Sequence, residues 1–391
     1  MTVGVVGAGT MGAGIAQVAL GAGHDVRIFD EDPVGIGRAQ NRIADGLRRQ
    51  AAKADPRKAE AGVAHRHGAL AVAADLAELA AGSDVVIEAV VERLAVKQEV
   101  FRRLNRAAAP ATILATNTSA LSVGAIASAV GHSERVLGMH FFNPAPLMKL
   151  VEIASGPGTD PDVVERATAL VTSWGKTAVH CLDRPGFIVN RVNRPFTIEP
   201  LRILHAGGGT IESIDAAIRD AGFPMGPFTL MDLVGLDVNL AAARALYEAF
   251  ERPARLRPSP IQEELVAGGD LGRKTGRGFY EYDAEGRIVE PASRFRDPAP
   301  APLEPDEIAE RVILAIVNEA YRALGEGVAS PADIDLAMRL GANHPLGPIE
   351  WAERFGLTEV AASLDALSDE DDDAFRPSLA LLRAAAGEGC C

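Results

Sequence analysis

With 391 residues the chain is roughly 2.6 times the ~150-residue prior for one domain, which excludes a single small domain. Hydrophobic residues make up 48% and charged residues 24%, the balance of a folded, water-soluble protein and not of a disordered one. Lys and Arg number 39 against 53 Asp and Glu, a net charge of −14, so no general field draws in DNA or RNA and nucleic acid is excluded as a partner.

The chain opens on an apolar run at 3–6, but no basic segment precedes it and Gly7, Gly9, Gly12 and Gly14 break up the stretch after it, so it does not read as a signal peptide. No later stretch reaches the ~18 to 20 apolar residues that cross a bilayer, and no membrane role is expected. Cys181, Cys390 and Cys391 are too few for a disulfide framework and suit a reducing cytoplasm, where the protein is expected. Short apolar or β-branched runs at 3–6, 25–29, 84–88, 112–115, 136–140 and 150–153 read as buried strands. Helix-length segments at 11–22, 37–52, 93–108 and 162–173 lie between them, the alternation of an α/β, Rossmann-type doubly wound domain spanning 1–183.

The first strand runs into Gly7, Ala8, Gly9, Thr10, Met11 and Gly12, which open a helix, the context in which a glycine fingerprint binds a dinucleotide. Gly7 permits the tight turn, Gly9 lets a pyrophosphate approach the backbone, and Gly12 lets the helix lie against the strand. Free amides at a positive helix end then meet phosphate charge. Asp30, 18 residues beyond Gly12, ends the second strand, where a carboxylate accepts from the ribose hydroxyls and repels a 2′-phosphate. NAD is therefore favoured over NADP.

Farther along, Asn117-Thr118-Ser119 follows one buried strand, 138–144 follows the next, and Glu152 closes the strand after that. Ligands of doubly wound sheets sit beyond the carboxyl ends of parallel strands, so Asn117, Ser119 and His140 are candidates there. An imidazole at 140 held by Glu152 on a neighbouring strand can act as a general base near neutral pH.

After Arg184-Pro185-Gly186 only helical periodicity survives, which predicts an all-helical domain over 184–283. A Pro-rich linker is expected at 284–305 and a second helical domain at 306–391, in which the acidic run 369–373 reads as a solvated loop. That last segment repeats the previous one. Glu199, Ile214, Asp215 and Ala217 recur 120 residues later as Glu319, Ile334, Asp335 and Ala337, and Gly226-Pro227 and Gly235-Leu236 recur as Gly347-Pro348 and Gly356-Leu357.

GAGTMGAGIAQ at 7–17, NTS at 117–119, GMHFFNPAPLMKLVEI at 138–153, PGFIVNR at 185–191, GFPMGPFTLMDLVGLD at 222–237 and KTGRGFY at 274–280 together resemble the L-3-hydroxyacyl-CoA dehydrogenases. The resemblance covers most of 1–283, and the repeat is similar to the tandem C-terminal domain of longer members. It implies an NAD-dependent enzyme that interconverts 3-hydroxyacyl and 3-ketoacyl thioesters. His140 and Glu152 would be its catalytic dyad, and Ser119 and Asn190 would hydrogen-bond the reacting oxygen or thioester. The implied cofactor set is the glycine loop, Asp30, Glu92, Lys97, Asn117, Ser119, Asn143 and Lys274, and the implied substrate set is Lys53, Ser119 and Asn190. No metal enters this reading.

The sequence also departs from the family pattern. A serine and a lysine often stand in the insert after the second strand, where the nucleotide of CoA docks; here the positions are Gly46 and Lys53, in a stretch kept basic by Arg48, Arg49 and Arg57. The acyl carrier is thereby left open between CoA and an acyl carrier protein. A hydroxyisobutyrate or phosphogluconate dehydrogenase would use a lysine base and lack the HFFNP segment. A non-catalytic NAD-binding relative would have lost His140, Glu152 or Asn190. The two helical copies are expected to pair inside one polypeptide, giving a monomer with one active site.

Overall fold

In the computed structural model, which describes residues 1–54, 66, 68–297, 299–368 and 373–388, the chain divides into two units, Met1–Phe187 and Ile188–Cys391. Arg57, Pro298, most of the acidic run at 369–373, Cys390 and Cys391 lie outside the described residues. Among the described residues no helix is long and apolar enough to cross a membrane.

In the first unit β1 (Thr2–Val6), β2 (Asp25–Phe29), β4 (Val85–Glu88), β5 (Ile113–Thr116) and β6 (Val136–Phe141) run parallel, as continuous Val, Ile and Leu runs do when helices cover both sheet faces. With β3 (Leu70–Val72), β7 (Leu150–Ser155) and β8 (Thr177–Leu182) they form an eight-stranded sheet in the order β3-β2-β1-β4-β5-β6-β7-β8. Helices α1 (Thr10–Gly21), α2 (Pro33–Ala54), α3 (Leu76–Ala81), α4 (Leu94–Ala107), α5 (Val123–Ala127) and α6 (Pro161–Ser173) connect them. Ile15, Ala19, Ile43, Leu47, Leu137 and Val171 are part of one buried apolar cluster that includes sheet and helix residues.

Two expectations are corrected. β7 runs antiparallel to β6, so Glu152 does not sit at the carboxyl end of a parallel strand; it lies near the start of a reversed one, directly opposite His140. The reversal brings the two side chains together across the pair. β8, absent from the expected strands, is a half-exposed edge strand lacking a continuous buried run.

The second unit contains α7 (Val189–Val192), α8 (Pro195–His205), α9 (Ile211–Asp220), α10 (Pro227–Val234), α11 (Leu236–Ala249) and α12 (Pro260–Ala267). After them come α13 (Pro305–Gly325), α14 (Pro331–Gly341), α15 (Pro348–Phe355), α16 (Leu357–Leu367) and α17 (Leu379–Ala385). It is not wholly helical. β9 (Tyr280–Tyr282) and β10 (Ile288–Pro291) pair antiparallel, and Asp232 accepts from the backbone N–H groups of Phe279 and Tyr280 and from the Tyr282 hydroxyl. Nor is 284–305 a free linker, because Ala301 and Leu303 donate to the carbonyls of Gly207 and Gly208.

The repeat has a structural cause. Asp215 accepts from the N–H groups of Phe228 and Thr229 at 2.8 and 3.1 Å, and Asp335 accepts from those of Ile349 and Glu350 at 2.8 and 3.2 Å. Each carboxylate thus caps the positive end of the helix behind a Gly-Pro step. A Cβ on Gly226 would lie 2.3 Å from Asp215 Cγ, and one on Gly347 2.1 Å from Asp335 Cγ, so both copies require glycine there.

The two copies also exchange ion pairs reciprocally. Arg191 Nε meets Glu319 Oε1 at 2.7 Å, and Arg311 Nη2 meets Glu199 Oε1 at 2.7 Å. Arg191 and Arg311 are 120 residues apart, as are Glu199 and Glu319. Swapped equivalents in contact are the mark of a two-fold interface, here built within one chain with α8 packed on α13.

His344 is buried beside this interface, its Nε2 2.8 Å from Asn193 Oδ1 and its ring near Phe196 and Phe223. Burial pushes its pKa down to about 3. Unfolded histidine takes up a proton near pH 6.5, so as pH falls below that value the unfolded state gains protons that the folded state refuses, and stability drops. In His344→Asn this contribution is absent. Urea midpoints at pH 7 and 4.5 should show wild type losing ground to the variant on acidification; a constant difference would mean that the buried ring titrates normally.

Candidate active site

β1 is followed by Gly7, whose φ of +102° turns the chain into α1 while its N–H donates to the Phe29 carbonyl. A Cβ on Gly12 would stand 1.8 Å from the Gly7 carbonyl oxygen, so only glycine lets the helix start this close to the turn. Gly9 is the helix N-cap without a side-chain cap, no acid stands in the first turn, and a Cβ there would touch nothing within 4 Å. That leaves room and uncapped amides for a pyrophosphate. Ala8 donates its N–H to Asp30 Oδ2 at 2.6 Å, fixing the carboxylate just past β2. Thr10 is exposed at the start of α1, and Met11 packs against the core. These residues fit the adenosine and pyrophosphate of NAD.

The next strand ends supply a buried charge network. Glu88, fully buried at the end of β4, receives Lys97 Nζ at 2.7 Å and the Thr116 hydroxyl at 2.8 Å. Lys97 is itself 1% exposed and also meets Glu92 at 3.1 Å, so it holds the two carboxylates together. Glu92 accepts from the Thr118 hydroxyl and from the N–H groups of Ser119 and Ala120. Burial alone would raise the Glu92 carboxyl, but the Lys97 charge and the bonds from Thr118 and Ser119 outweigh it and hold it low. Glu88 and Thr118 were not among the expected site residues; a glutamate ending a buried apolar run was the available signal. Asn117 Oδ1 accepts from the Phe141 N–H at 2.8 Å, tying the end of β5 to that of β6.

His140 and Glu152 face each other across β6 and β7. His140 Nδ1 is 2.6 Å from Glu152 Oε2, with Glu152 wholly buried and the imidazole 6% exposed between the rings of Phe142 and Phe187. A carboxylate in that place keeps the proton on Nδ1 and leaves Nε2 as the acceptor. Asn143 follows on an exposed turn. Asn190 and Lys274 belong to the second unit, Asn190 in the single turn α7 and Lys274 on a loop where its Nζ pairs with Asp237 at 2.5 Å.

One cleft of about 750 Å³ opens on the first unit, lined by Thr10, Gln17, Arg42, Gly46, Arg49, Asn143, Trp174 and Lys176 among others. None of its described lining residues carries a carboxylate. Residues 42, 46 and 49 share one face of α2 by their helical spacing. The Lys176 ammonium is nearly buried, donates to the carbonyls of Ala145 and Met148, and has its pKa lowered by burial. A Cβ on Gly46 would lie 2.0 Å from Gln17 Oε1, so the Gln17 amide occupies the space that a serine would fill. Lys53 falls two turns beyond Gly46, and its side chain lies outside the described residues.

Comparison with known proteins agrees with this architecture. Residues 2–184 match the model of the 3-hydroxyacyl-CoA dehydrogenase NAD binding domain, and 186–282 and 308–388 match that of the family's C-terminal domain. A 3-hydroxyadipyl-CoA dehydrogenase of Escherichia coli is 38% identical over 96% of this chain and 95% of its own. The mitochondrial hydroxyacyl-coenzyme A dehydrogenase of Sus scrofa is 41% identical over 71% of this chain and 90% of its own. A solved 3-hydroxybutyryl-CoA dehydrogenase from Escherichia coli K12 superposes with a TM-score of 0.88 at 36% identity, covering 99% of this chain and 98% of that one. The chain belongs to the 3-hydroxyacyl-CoA dehydrogenase family, with the family's NAD-binding domain followed by its C-terminal domain in two matching segments.

Proposed function

We propose that the chain interconverts 3-hydroxyacyl-CoA and 3-ketoacyl-CoA with NAD, and that His140 moves the proton. The observation that carries this reading is the 2.6 Å contact between His140 Nδ1 and the buried Glu152 carboxylate. His140 Nε2 accepts the proton of the C3 hydroxyl in one direction and returns it in the other, while Glu152 stabilises the imidazolium that forms. NAD, when bound, takes or supplies the hydride at C3. Asp30 would hold its ribose, the glycine loop its pyrophosphate, and Glu92, Asn117, Asn143 and Lys274 the rest. Lys97 would act through Glu88 and Glu92 as a positioning residue. Ser119, whose N–H is anchored on Glu92, and Asn190 would hold the reacting oxygen and thioester.

Between CoA and a carrier protein, the cleft favours CoA. Arg42, Arg49 and Lys176 give it positive charge of the kind that phosphates seek, with Gln17 standing in for the missing serine and Lys53 extending the same helix. Reduction followed at 340 nm should be at least about tenfold more efficient, in kcat/KM, with acetoacetyl-CoA than with acetoacetyl-pantetheine, which lacks the nucleotide. Equal efficiencies would remove the cleft from substrate binding, and a preference for carrier-protein thioesters would establish the other carrier.

We read the protein as a monomer with one site. The reciprocal pairs of Arg191 and Arg311 support an interface satisfied inside the chain, and the position matching Asn190 in the second copy is Glu310. Cys181 is buried, and three cysteines in 391 residues fit a reducing compartment such as the cytoplasm.

A further inference from the structure

The charges beyond the carboxyl ends of β4 and β5 do not balance. The Glu88 carboxylate accepts from Lys97 Nζ at 2.7 Å, from the Val90 N–H at 2.7 Å and from the Thr116 hydroxyl at 2.8 Å, three donors that suit an ionised group. Lys97 Nζ also meets Glu92 Oε2 at 3.1 Å. Burial works against the Glu92 charge, but Lys97 and the bonds from Thr118 and Ser119 outweigh it, so this carboxylate stays ionised too. One ammonium therefore answers two carboxylates. Among the described residues no second cation pairs with either of them, and the Thr116 and Thr118 hydroxyls bring bonds without charge. Arg93, next to Glu92 in sequence, is exposed, where water screens it.

The surplus lies on the outer member. The Glu88 side chain is 0% exposed and that of Lys97 1%, whereas that of Glu92 is 39% exposed. A neutral pair of Glu88 and Lys97 would serve the fold at lower cost, since a charge drawn from water without its counter-ion is unfavourable. Glu92 is nevertheless fixed in place by Thr118 and by the N–H groups of Ser119 and Ala120. A carboxylate so held gains its purpose from a positive charge that a ligand brings.

The sheet order indicates which charge. β1, β2 and β3 lie on one side of the switch point and β4, β5 and β6 on the other, and in such sheets each half takes one mononucleotide of a dinucleotide. The glycine loop and Asp30 belong to the first half, which leaves the nicotinamide half for the ends of β4 and β5, on the way to His140 in β6. A nicotinamide ring is positively charged when oxidised and neutral when reduced. As C3 gives up its hydride and His140 takes the hydroxyl proton, one positive charge leaves the ring and one appears on the imidazole. Glu152 answers the charge at one end of that transfer, and the carboxylates on Lys97 answer it at the other.

We propose that Glu88, Lys97 and Glu92 together set the preference between the two cofactor forms, their one surplus negative charge favouring the oxidised, cationic nicotinamide over the reduced, neutral one. Glu88, sealed from solvent and holding Lys97, is a positioning residue in this group. This rests on the reading that the nicotinamide lies beyond β4 and β5 with His140 as its neighbour, and it adds a reason for the third charged member of the network. The two cofactor forms have nearly the same shape, so charge is what tells them apart.

Isothermal titration calorimetry of the full chain with oxidised NAD and with NADH, without thioester and at one pH, reads the two dissociation constants. In Glu88→Gln, which keeps the shape and removes one negative charge, the Kd for oxidised NAD divided by that for NADH should rise about tenfold over wild type, chiefly through weaker binding of oxidised NAD. Glu92→Gln should raise it likewise. Glu88→Asp keeps the charge and should hold the wild-type ratio even where both affinities fall. A purely structural role would weaken both forms in proportion. An unchanged ratio in Glu88→Gln, or in Glu92→Gln should Glu88→Gln not fold, therefore overturns the inference while leaving the dehydrogenase reading intact. A ratio that rises as far in Glu88→Asp as in Glu88→Gln overturns it as well, because charge would then not be the cause. Wild-type protein that binds neither form overturns the cofactor reading and this inference together.

Discussion

His140→Gln should lower turnover by about 10²- to 10⁴-fold with saturating substrate while NADH still binds with wild-type affinity. The amide keeps a polar group opposite Glu152 but cannot accept and return a proton. The cofactor residues proposed above, Gly7 to Gly12 and Asp30, lie on other strands and loops of the sheet, so binding and turnover should separate. Fluorescence titration of NADH alongside steady-state rates makes the comparison. Wild-type turnover in the variant would take His140 out of the mechanism. Glu152→Gln should have a smaller effect in the same direction, because the ring remains while the charge that stabilises imidazolium is gone.

Arg191→Met should destabilise the second unit by about 3–5 kcal/mol, the range for removing one partner of a buried ion pair. Arg191 is fully buried, its Nε bonded to Glu319 and its two terminal nitrogens to the Glu326 carboxylate, and it lies 4.7 Å from the ring of Phe250. Burial lowers its affinity for the proton, but Glu326 and Glu319 outweigh that and keep it firmly charged. Without it, Glu319, 2% exposed, must lean on its remaining ion pair with Arg255. The reciprocal change, Arg311→Met, should be milder, because the Arg311 side chain is 31% exposed and water can replace part of the lost bonding. Urea unfolding of both variants checks the asymmetry. Near-wild-type stability of Arg191→Met would show that the two helical copies are held by apolar packing alone.

How legible each feature was in the chain depends on how far apart its contributing residues are. The glycine loop, Asp30 and the segment around His140 are contiguous, and each is set by a turn or strand end that the local pattern dictates. The direction of β7 was hidden, since an apolar run such as Leu150–Ser155 packs equally well either way, and only the register pairing His140 with Glu152 reveals the reversal. Lys97 looked like a surface cation suited to a cofactor. Its burial against Glu88 depends on a strand end nine residues earlier in sequence, across a turn. The hairpin of β9 and β10, which straddles the end of the expected helical domain and the Pro-rich stretch, was missed because each strand is too short to show alternation. The reciprocal arginines were within reach, as the offset that links Glu199 to Glu319 also links Arg191 to Arg311. The cleft was not, because its walls come from α1, α2, the turn after β6 and the end of α6, four stretches joined only by the fold.

If this chain moves a hydride between NAD and C3 of an acyl-CoA through a single His140-based site, absorbance at 340 nm should reveal it when the purified full chain is mixed with NADH and then with acetoacetyl-CoA or a longer 3-ketoacyl-CoA. The absorbance should fall steadily, the loss should need both thioester and protein, and it should largely disappear in His140→Gln. A trace that stays flat with both thioesters would contradict the dehydrogenase reading.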